Sequence, residues 1–161
     1  MRIRVGIGFD IHRLVEGRNL YLGGISIPFS KGLRGHSDGD CLIHALIDAL
    51  LGALGQMDIG HHFPDTDAQF KDMRSTFLLG KVMAMMRNQK AVIVNADSVI
   101  VAEKPNLAEH IPAMKKTLCP ILHLQEAELG IKAKTHEGLG PLGHGEAIAA
   151  WASVIITFEE S

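Results

Sequence analysis

The sequence predicts one domain built from both helices and strands. Three observations carry this expectation. The chain has 161 residues, 47% of them apolar and 21% charged, which is the size and balance of a globular domain with a sizeable core. Segments rich in β-branched residues trade places with segments whose apolar residues recur at helical spacing. No low-complexity linker, charge run or internal repeat divides residues 1–161.

The elements follow in order. Residues 2–9 read as a strand closed by Asp10-Ile11-His12. Residues 20–28 read as a hairpin, because Gly23-Gly24 tolerates the positive φ of a tight two-residue turn. A helix is expected from about 38 to 55, where Ile43, Leu46, Ile47, Leu50, Leu51 and Leu54 follow helical spacing. Ser37 with Asp40 three residues on resembles a capping box at its start. Phe63 to Phe70 is rich in turn formers. A second helix is expected at about 72–88 and a β-branched strand at 91–102. A third helix, at about 107–118, is expected to stop at Pro120. A helical turn near 124–128 leads to a strand near 130–135, a Gly-rich loop at 138–145 and a last strand from Ala147 to Phe158.

That last strand is apolar or small on both faces. Ala147, Ala149, Trp151 and Ile155 line one; Ile148, Ala150, Ala152, Val154 and Ile156 line the other. A sheet with one wet face would alternate. Either the strand is sandwiched inside the chain, or another subunit covers its second face.

Several function classes are excluded at this stage. The net charge of −2 offers no basic excess for a nucleic-acid partner. Two cysteines, Cys41 and Cys119, with no C-x-x-C, argue against a disulfide framework and fit a reducing compartment. Arg2 to Gly8 is too short and too charged for a signal peptide's apolar core, and nothing approaches the ~20 apolar residues of a membrane span. A soluble, cytoplasmic protein is expected, with no membrane partner.

Asp10-x-His12 is the most informative motif. Strand side chains repeat every two residues, so both point to one face. His44, on the first long helix, supplies a third ligand. One carboxylate and two imidazoles make the ligand count of a catalytic zinc site, with the fourth position left for substrate or water. The plainer alternative is a polar stripe of Asp40, His44 and Asp48 with ordinary hydrogen bonds. His36-Ser37 precedes that helix, where free N–H groups attract anions; Ser37 also serves as a simple cap. Asp58 to Asp67 combines polar side chains with turn formers, as functional loops and plain Asx-turns both do. His61 and His62 are adjacent, and neighbouring side chains diverge, which disfavours them as joint ligands.

Glu103-Lys104-Pro105-Asn106-Leu107 follows a strand end, a common place for ligand contacts and also for a plain connector. In Lys132-Ala133-Lys134-Thr135-His136-Glu137, Lys134 is a candidate phosphate contact and Glu137 a hard oxygen ligand suited to Mg²⁺. The alternative there is an exposed strand edge. Gly138 to Gly145 lacks the G-x-G-x-x-G pattern in a strand-to-helix context, so no dinucleotide site is expected.

Gly8-Phe9-Asp10-Ile11-His12, Gly35-His36-Ser37-Asp38-Gly39-Asp40 through His44, Asp58-Ile59-Gly60 with Phe63-Pro64-Asp65-Thr66-Asp67, and Thr135-x-Glu137-x-Leu139-Gly140 recur here in one order. In these motifs the chain resembles the 2-C-methyl-D-erythritol 2,4-cyclodiphosphate synthases of the non-mevalonate isoprenoid pathway, nearly end to end. The resemblance implies an α+β subunit, a single cyclodiphosphate synthase-like domain over 1–161. Helices would cover one face of a mixed sheet, and the sheets would pack around the axis of a homotrimer with active sites between subunits. It implies a phosphorus–oxygen lyase that converts 4-diphosphocytidyl-2-C-methyl-D-erythritol 2-phosphate to the cyclic diphosphate and releases CMP.

By that resemblance Asp10, His12 and His44 bind Zn²⁺ or another divalent transition metal, and a substrate phosphate completes the tetrahedron. Glu137 would reach Mg²⁺ or Mn²⁺ on the substrate's diphosphate. His36 and Thr135 match positions that stabilise the transition state. Substrate contacts would come from Asp10, Ile11, His12, His36 and Ser37. Asp58, Ile59, Gly60, Phe63, Pro64, Asp65, Thr66 and Asp67 would hold the methylerythritol part. Ala102, Glu103, Lys104, Pro105, Asn106, Leu107 and Ala108 would form the cytidine pocket, and Lys134, Thr135, His136, Glu137, Pro141 and His144 would complete the contacts. The 2-phosphate attacks the β-phosphorus; both are anionic, so cations that neutralise charge and fix in-line geometry supply the catalysis.

The chain departs from the family at three places. Asn106 stands where a Lys is frequent, and Lys134 where a Thr is frequent, so a positive charge has moved between walls of the nucleotide site. His144 stands where an Arg is frequent; in related proteins that Arg binds a diphosphate-containing isoprenoid in the trimer's central cavity. Two rival readings are a metal-dependent trimeric scaffold without activity and a metal-dependent phosphohydrolase. Intact Asp10, His12, His44 and Glu137 argue against the first; the absence of a two-metal carboxylate cluster argues against the second.

Overall fold

A computed structural model describes residues 2–159. Fourteen residues form the first strand, β1 (Ile3–Glu16), and its alternation explains the architecture. The odd positions Ile3, Val5, Ile7, Phe9 and Ile11 face one way; the even positions Gly6, Gly8, Asp10 and His12 face helix α1 (Cys41–Leu54). A Cβ on Gly8 would lie 1.9 Å from the Ala45 carbonyl oxygen, and one on Gly6 1.8 Å from that of Ala49. Only glycine lets the helix backbone lie this close to the strand.

β1 pairs antiparallel with β7 (Ala147–Phe158) and, at its far end, with β4 (Lys31–Leu33). β7 pairs antiparallel with β5 (Ala91–Val101), and β5 runs parallel to β6 (Leu129–Lys134). The five-stranded mixed sheet has the order β4-β1-β7-β5-β6, and β2 (Leu20–Leu22) with β3 (Ile25–Ile27) forms a separate hairpin. This is the expected α+β arrangement. Gly23 and Gly24 take φ of 60° and 79°, as the tight turn requires.

α1 is buried all round except at Asp48 and Gly52, so it is the core helix between the sheet and α3 (Ser75–Asn88). Its N-cap is Asp40, not Ser37. Asp40 accepts from Ile43 N–H at 3.1 Å and also from Gly23 and Gly24 N–H at 3.0 and 2.7 Å. The hairpin thus selects the cap, and the helix begins at Cys41 rather than 38. Gly55, at φ 74°, closes it.

Other boundaries differ from the sequence expectation for identifiable reasons. β1 runs on past His12 to Glu16 because β4, which was not expected, pairs with its end. A short helix, α2 (Ile59–His62), opens the turn-rich segment. α4 (Ile111–Leu122) passes through Pro120, which sits in the last turn where few hydrogen bonds remain to be lost; His123 closes the helix at φ 57°. The Gly-rich loop contains one helical turn, α5 (Gly140–Gly143).

The even side chains of β7 from Ile148 to Ile156 are buried beneath α1. Among the described residues its other face is covered only near its start, where Ala147 and Ala149 pack with Val101 and Leu142. Beyond that, Ile3, Val5, Ile7, Phe9, Ile11 and Trp151 form an exposed apolar face, with Val5 68% and Ile7 76% exposed. No helix among the described residues is long and apolar enough to cross a membrane.

Candidate active site

β1 and α1 converge on three side chains. Asp10 Oδ2 lies 2.8 Å from His12 Nε2 and 2.9 Å from His44 Nδ1, and the two nitrogens are 3.1 Å apart. A tetrahedral ion with bonds of about 2.0–2.1 Å separates its ligands by about 3.3 Å, close to this triangle. Among the described residues no other group of three His, Cys, Asp or Glu side chains could hold a metal.

The outward nitrogens of both histidines are engaged. His12 Nδ1 donates to the Arg34 carbonyl at 2.6 Å. His44 Nε2 lies 2.9 Å from Ser75 Oγ and 3.2 Å from Ser37 Oγ. His12 Nε2 and His44 Nδ1 are left to face Asp10, which is the orientation metal-ligating histidines require. Burial pushes the Asp10 carboxyl up, yet hydrogen bonds from His12 and His44 hold it well below the usual carboxylate range. Burial likewise pushes His12 down, and its bond to Asp10 outweighs this and raises it. A carboxylate beside two oriented imidazoles is a donor set that fits zinc.

The triad borders a cleft of about 720 Å³. His36 and Ser37 line one wall, and Ile59, Gly60, Phe63, Pro64, Asp65 and Thr66 another. His36 Nε2 is buried with no hydrogen-bond partner among the described residues. Arg18 holds this wall in place, donating to the carbonyls of Gly35 at 3.1 Å and Ser37 at 2.8 Å. Ile11 alternates away from the triad and its side chain belongs to the open apolar face. Asp58 caps α2, accepting from His61 N–H at 3.1 Å and its ring Nδ1 at 2.9 Å, and Asp67 caps the next turn through Gln69 N–H at 3.0 Å. Neither carboxylate lines the cleft.

The remaining candidates gather elsewhere. Residues Ala102 to Ala108 with Ala133, Lys134, Thr135 and Phe29 line a second cavity of about 620 Å³. Asn106 Oδ1 accepts from Ala108 N–H at 3.0 Å, which shapes this loop. Glu137, at φ 53°, accepts from Thr135 Oγ1 at 2.9 Å, and the His136 N–H donates to Glu103 at 3.2 Å. His144 borders a third cavity with Lys31, Glu103 and Lys104, and Pro141 opens α5. Within one chain, Thr135 and the 102–108 loop therefore line a different cavity from the metal triad.

Sequence reasoning missed Ser75, Phe70 and Leu78. Ser75 is fully buried and touches His44 from 31 residues away. Phe70 and Leu78 line the cleft. No local pattern marks a contact of that range.

A family model described as the YgbB family matches residues 3–157. A curated 2-C-methyl-D-erythritol 2,4-cyclodiphosphate synthase from Synechococcus elongatus is 53% identical over 96% of this chain and 97% of its own. One of the same name from Pelotomaculum thermopropionicum is 51% identical over 96% of this chain and 95% of its own. A solved 2C-methyl-D-erythritol-2,4-cyclodiphosphate synthase, in a form bound to CDP, superposes with a TM-score of 0.89 at 40% identity, covering 96% of this chain and 100% of that one. With the β1–α1 triad in place and similarity along nearly its whole length, this chain belongs to the YgbB family, the family of the 2-C-methyl-D-erythritol 2,4-cyclodiphosphate synthases.

Proposed function

We propose that this chain is a lyase that cyclises 4-diphosphocytidyl-2-C-methyl-D-erythritol 2-phosphate to 2-C-methyl-D-erythritol 2,4-cyclodiphosphate, releasing CMP. The observation that carries the reading is the convergence of Asp10, His12 and His44 at the edge of a cleft that His36 also lines. In the reaction a 2-phosphate oxygen forms a bond to the β-phosphorus, the bond from that phosphorus to the oxygen bridging to the α-phosphorus breaks, and CMP departs with that oxygen. Zn²⁺ held by Asp10, His12 and His44 would supply charge neutralisation to the 2-phosphate, and Glu137 would hold Mg²⁺ or Mn²⁺ with the diphosphate.

The protein's own contribution is positional. The β1–α1 contact fixes the triad, and the 59–66 wall excludes water from one side of the methylerythritol part. His36 would donate a proton or hydrogen bond to a phosphate oxygen, and Thr135 Oγ1 would do so from the nucleotide side once its hydroxyl turns from Glu137. The 102–108 loop with Lys134 takes the cytidine diphosphate; the CDP-bound relative supports a ligand of that chemistry.

The chain acts as one domain in a homotrimer. Two features support this: the uncovered apolar face of β1 and β7, and the division of candidate residues between two cavities. In a trimer the triad cleft of one subunit would meet the nucleotide cavity of its neighbour. The reading is tested by incubating zinc-loaded protein with the diphosphocytidyl substrate and following ³¹P NMR. Stoichiometric CMP and cyclic diphosphate are expected; unchanged substrate, or hydrolysis to linear phosphates, would overturn it.

A further inference from the structure

We infer that Ser75, held by Asp38, is a positioning residue that fixes the tautomer of His44 and so aims its Nδ1 lone pair at the metal. This rests on the reading of Asp10, His12 and His44 as ligands. The argument is a count of protons. The Asp38 carboxylate is buried, and as an acceptor it receives four hydrogen bonds: Oδ1 from Asp40 N–H at 3.2 Å and from the Ser75 hydroxyl, Oδ2 from Ser75 N–H at 3.0 Å and from Arg74 Nε at 3.2 Å. Ser75 has one hydroxyl proton, and Asp38 takes it. Its oxygen can then only accept from His44 Nε2, 2.9 Å away.

His44 Nε2 must therefore carry a hydrogen, so that Nδ1 is the bare nitrogen whenever the ring is neutral. Nδ1 is the atom that lies 2.9 Å from Asp10 Oδ2 and 3.1 Å from His12 Nε2. Ser37 Oγ, at 3.2 Å, could donate to a bare Nε2, but that tautomer would set two unprotonated atoms, Nε2 and Ser75 Oγ, against each other. The chain Arg74–Asp38–Ser75–His44 thus runs in one direction only. Ser75 is 0% exposed, so no water substitutes for it without a cavity. Ser75 is the first residue of α3, and Arg74 stacks over Tyr21 of β2 at 4.3 Å, which anchors the relay to a second helix and the hairpin.

The test uses the full chain, stripped of metal and then titrated with Zn²⁺ against a chromophoric chelator. Ser75→Ala is expected to lose about 10- to 100-fold in zinc affinity with unchanged circular dichroism, and Ser75→Thr, which keeps the hydroxyl, to recover most of it. Asp38→Asn is expected to do more: an amide N–H facing Ser75 would turn the hydroxyl proton toward His44 Nε2 and move the ring hydrogen to Nδ1. The tautomer is read directly by ¹⁵N–¹H correlation of histidine-labelled, metal-free protein, with His44→Ala to assign the signal. An Nε2–H form in the parent protein and an Nδ1–H form in Asp38→Asn are expected. A parent His44 in the Nδ1–H form would overturn the inference, as would Ser75→Ala affinity within twofold of the parent. The parent spectrum needs neither variant to fold, and it is independent of whether zinc binds. Failure of the parent to bind zinc would overturn the metal reading instead.

Discussion

Asn106 and Lys134 show how a single side chain decides a binding contribution. Both line the second cavity, the proposed nucleotide site, but the Asn106 carbonyl oxygen is occupied by the Ala108 N–H and carries no charge. Lys134 is exposed at the end of β6, and no ion pair engages it among the described residues. A charge-assisted contact to a diphosphate is worth roughly 1.5–3 kcal/mol, so Lys134→Thr should raise KM about 10-fold or more at low salt. Adding Asn106→Lys should recover part of the loss, since it restores a cation but gives up the Ala108 turn. An unchanged KM in Lys134→Thr would remove this residue from the site. Asp48 gives a prediction of a different kind. Burial, then the nearby charges of Asp58 and Asp10, push its carboxyl up, although the Ile59 N–H at 2.7 Å and His44 pull it down. A folded value above the unfolded one means the ionised form opposes folding. The penalty is absent below the unfolded value of about 4 and complete once pH exceeds the folded value. Asp48→Asn keeps an acceptor for Ile59 and should raise the melting midpoint by about 1–2 °C near neutral pH, a small gain because the group is half exposed. The gain should fade as pH drops toward about 4. A gain that is independent of pH, or none at neutral pH, would contradict this account.

At the scale of elements, the β1–α1 contact determines whether the three candidate metal ligands meet. Asp10 and His12 ride on the strand and His44 on the helix, and Gly6 and Gly8 set the spacing between them. In Gly8→Ala the new methyl would meet the Ala45 carbonyl, which is backbone and cannot rotate aside. Overpacking of this kind costs about 1–3 kcal/mol or more, so calorimetry should show a midpoint lower by about 5 °C or more, with weaker zinc binding in parallel. Wild-type midpoint and affinity would show that the helix moves at no cost. The same pair shows what the sequence disclosed. The apolar period of α1 and the doubly apolar β7 were legible, because periodicity reports burial directly. Asp10 and His12 were legible as a pair because strand alternation alone puts them on one face. The helix start was not, since Ser37 and Asp40 are both competent caps and the hairpin amides of Gly23 and Gly24 choose between them. Nor was the continuation of β1 to Glu16, which depends on pairing with a three-residue strand that has no pattern of its own. Ser75 escaped for the same reason: its meaning arises only when α3 packs on α1.

For the whole molecule, the division of the candidate site between two cavities and the open face of the sheet are parts of one argument. Ile3, Val5, Ile7, Phe9, Ile11 and Trp151 form a contiguous apolar surface that a lone chain leaves in water, with the Phe9 and Trp151 ring centroids 4.7 Å apart at a tilt of 46°. A cyclic trimer that covers this face also has the means to bring one subunit's triad cleft to its neighbour's 102–108 loop. Asp10→Ala disables only the metal side and Glu137→Ala only the nucleotide side. Neither homotrimer should turn over. In trimers assembled at random from equal amounts of both, each site has an even chance of an intact metal side from one subunit and an even chance of an intact nucleotide side from the next. Activity should therefore return to about one quarter of the parent value per site. A site contained within one subunit would always carry one lesion, and mixing would restore nothing. Unfolding and refolding the two variants together, with mass spectrometry to verify mixed trimers before assay, separates these outcomes; verified mixing without recovery would place both halves of the site in the same chain.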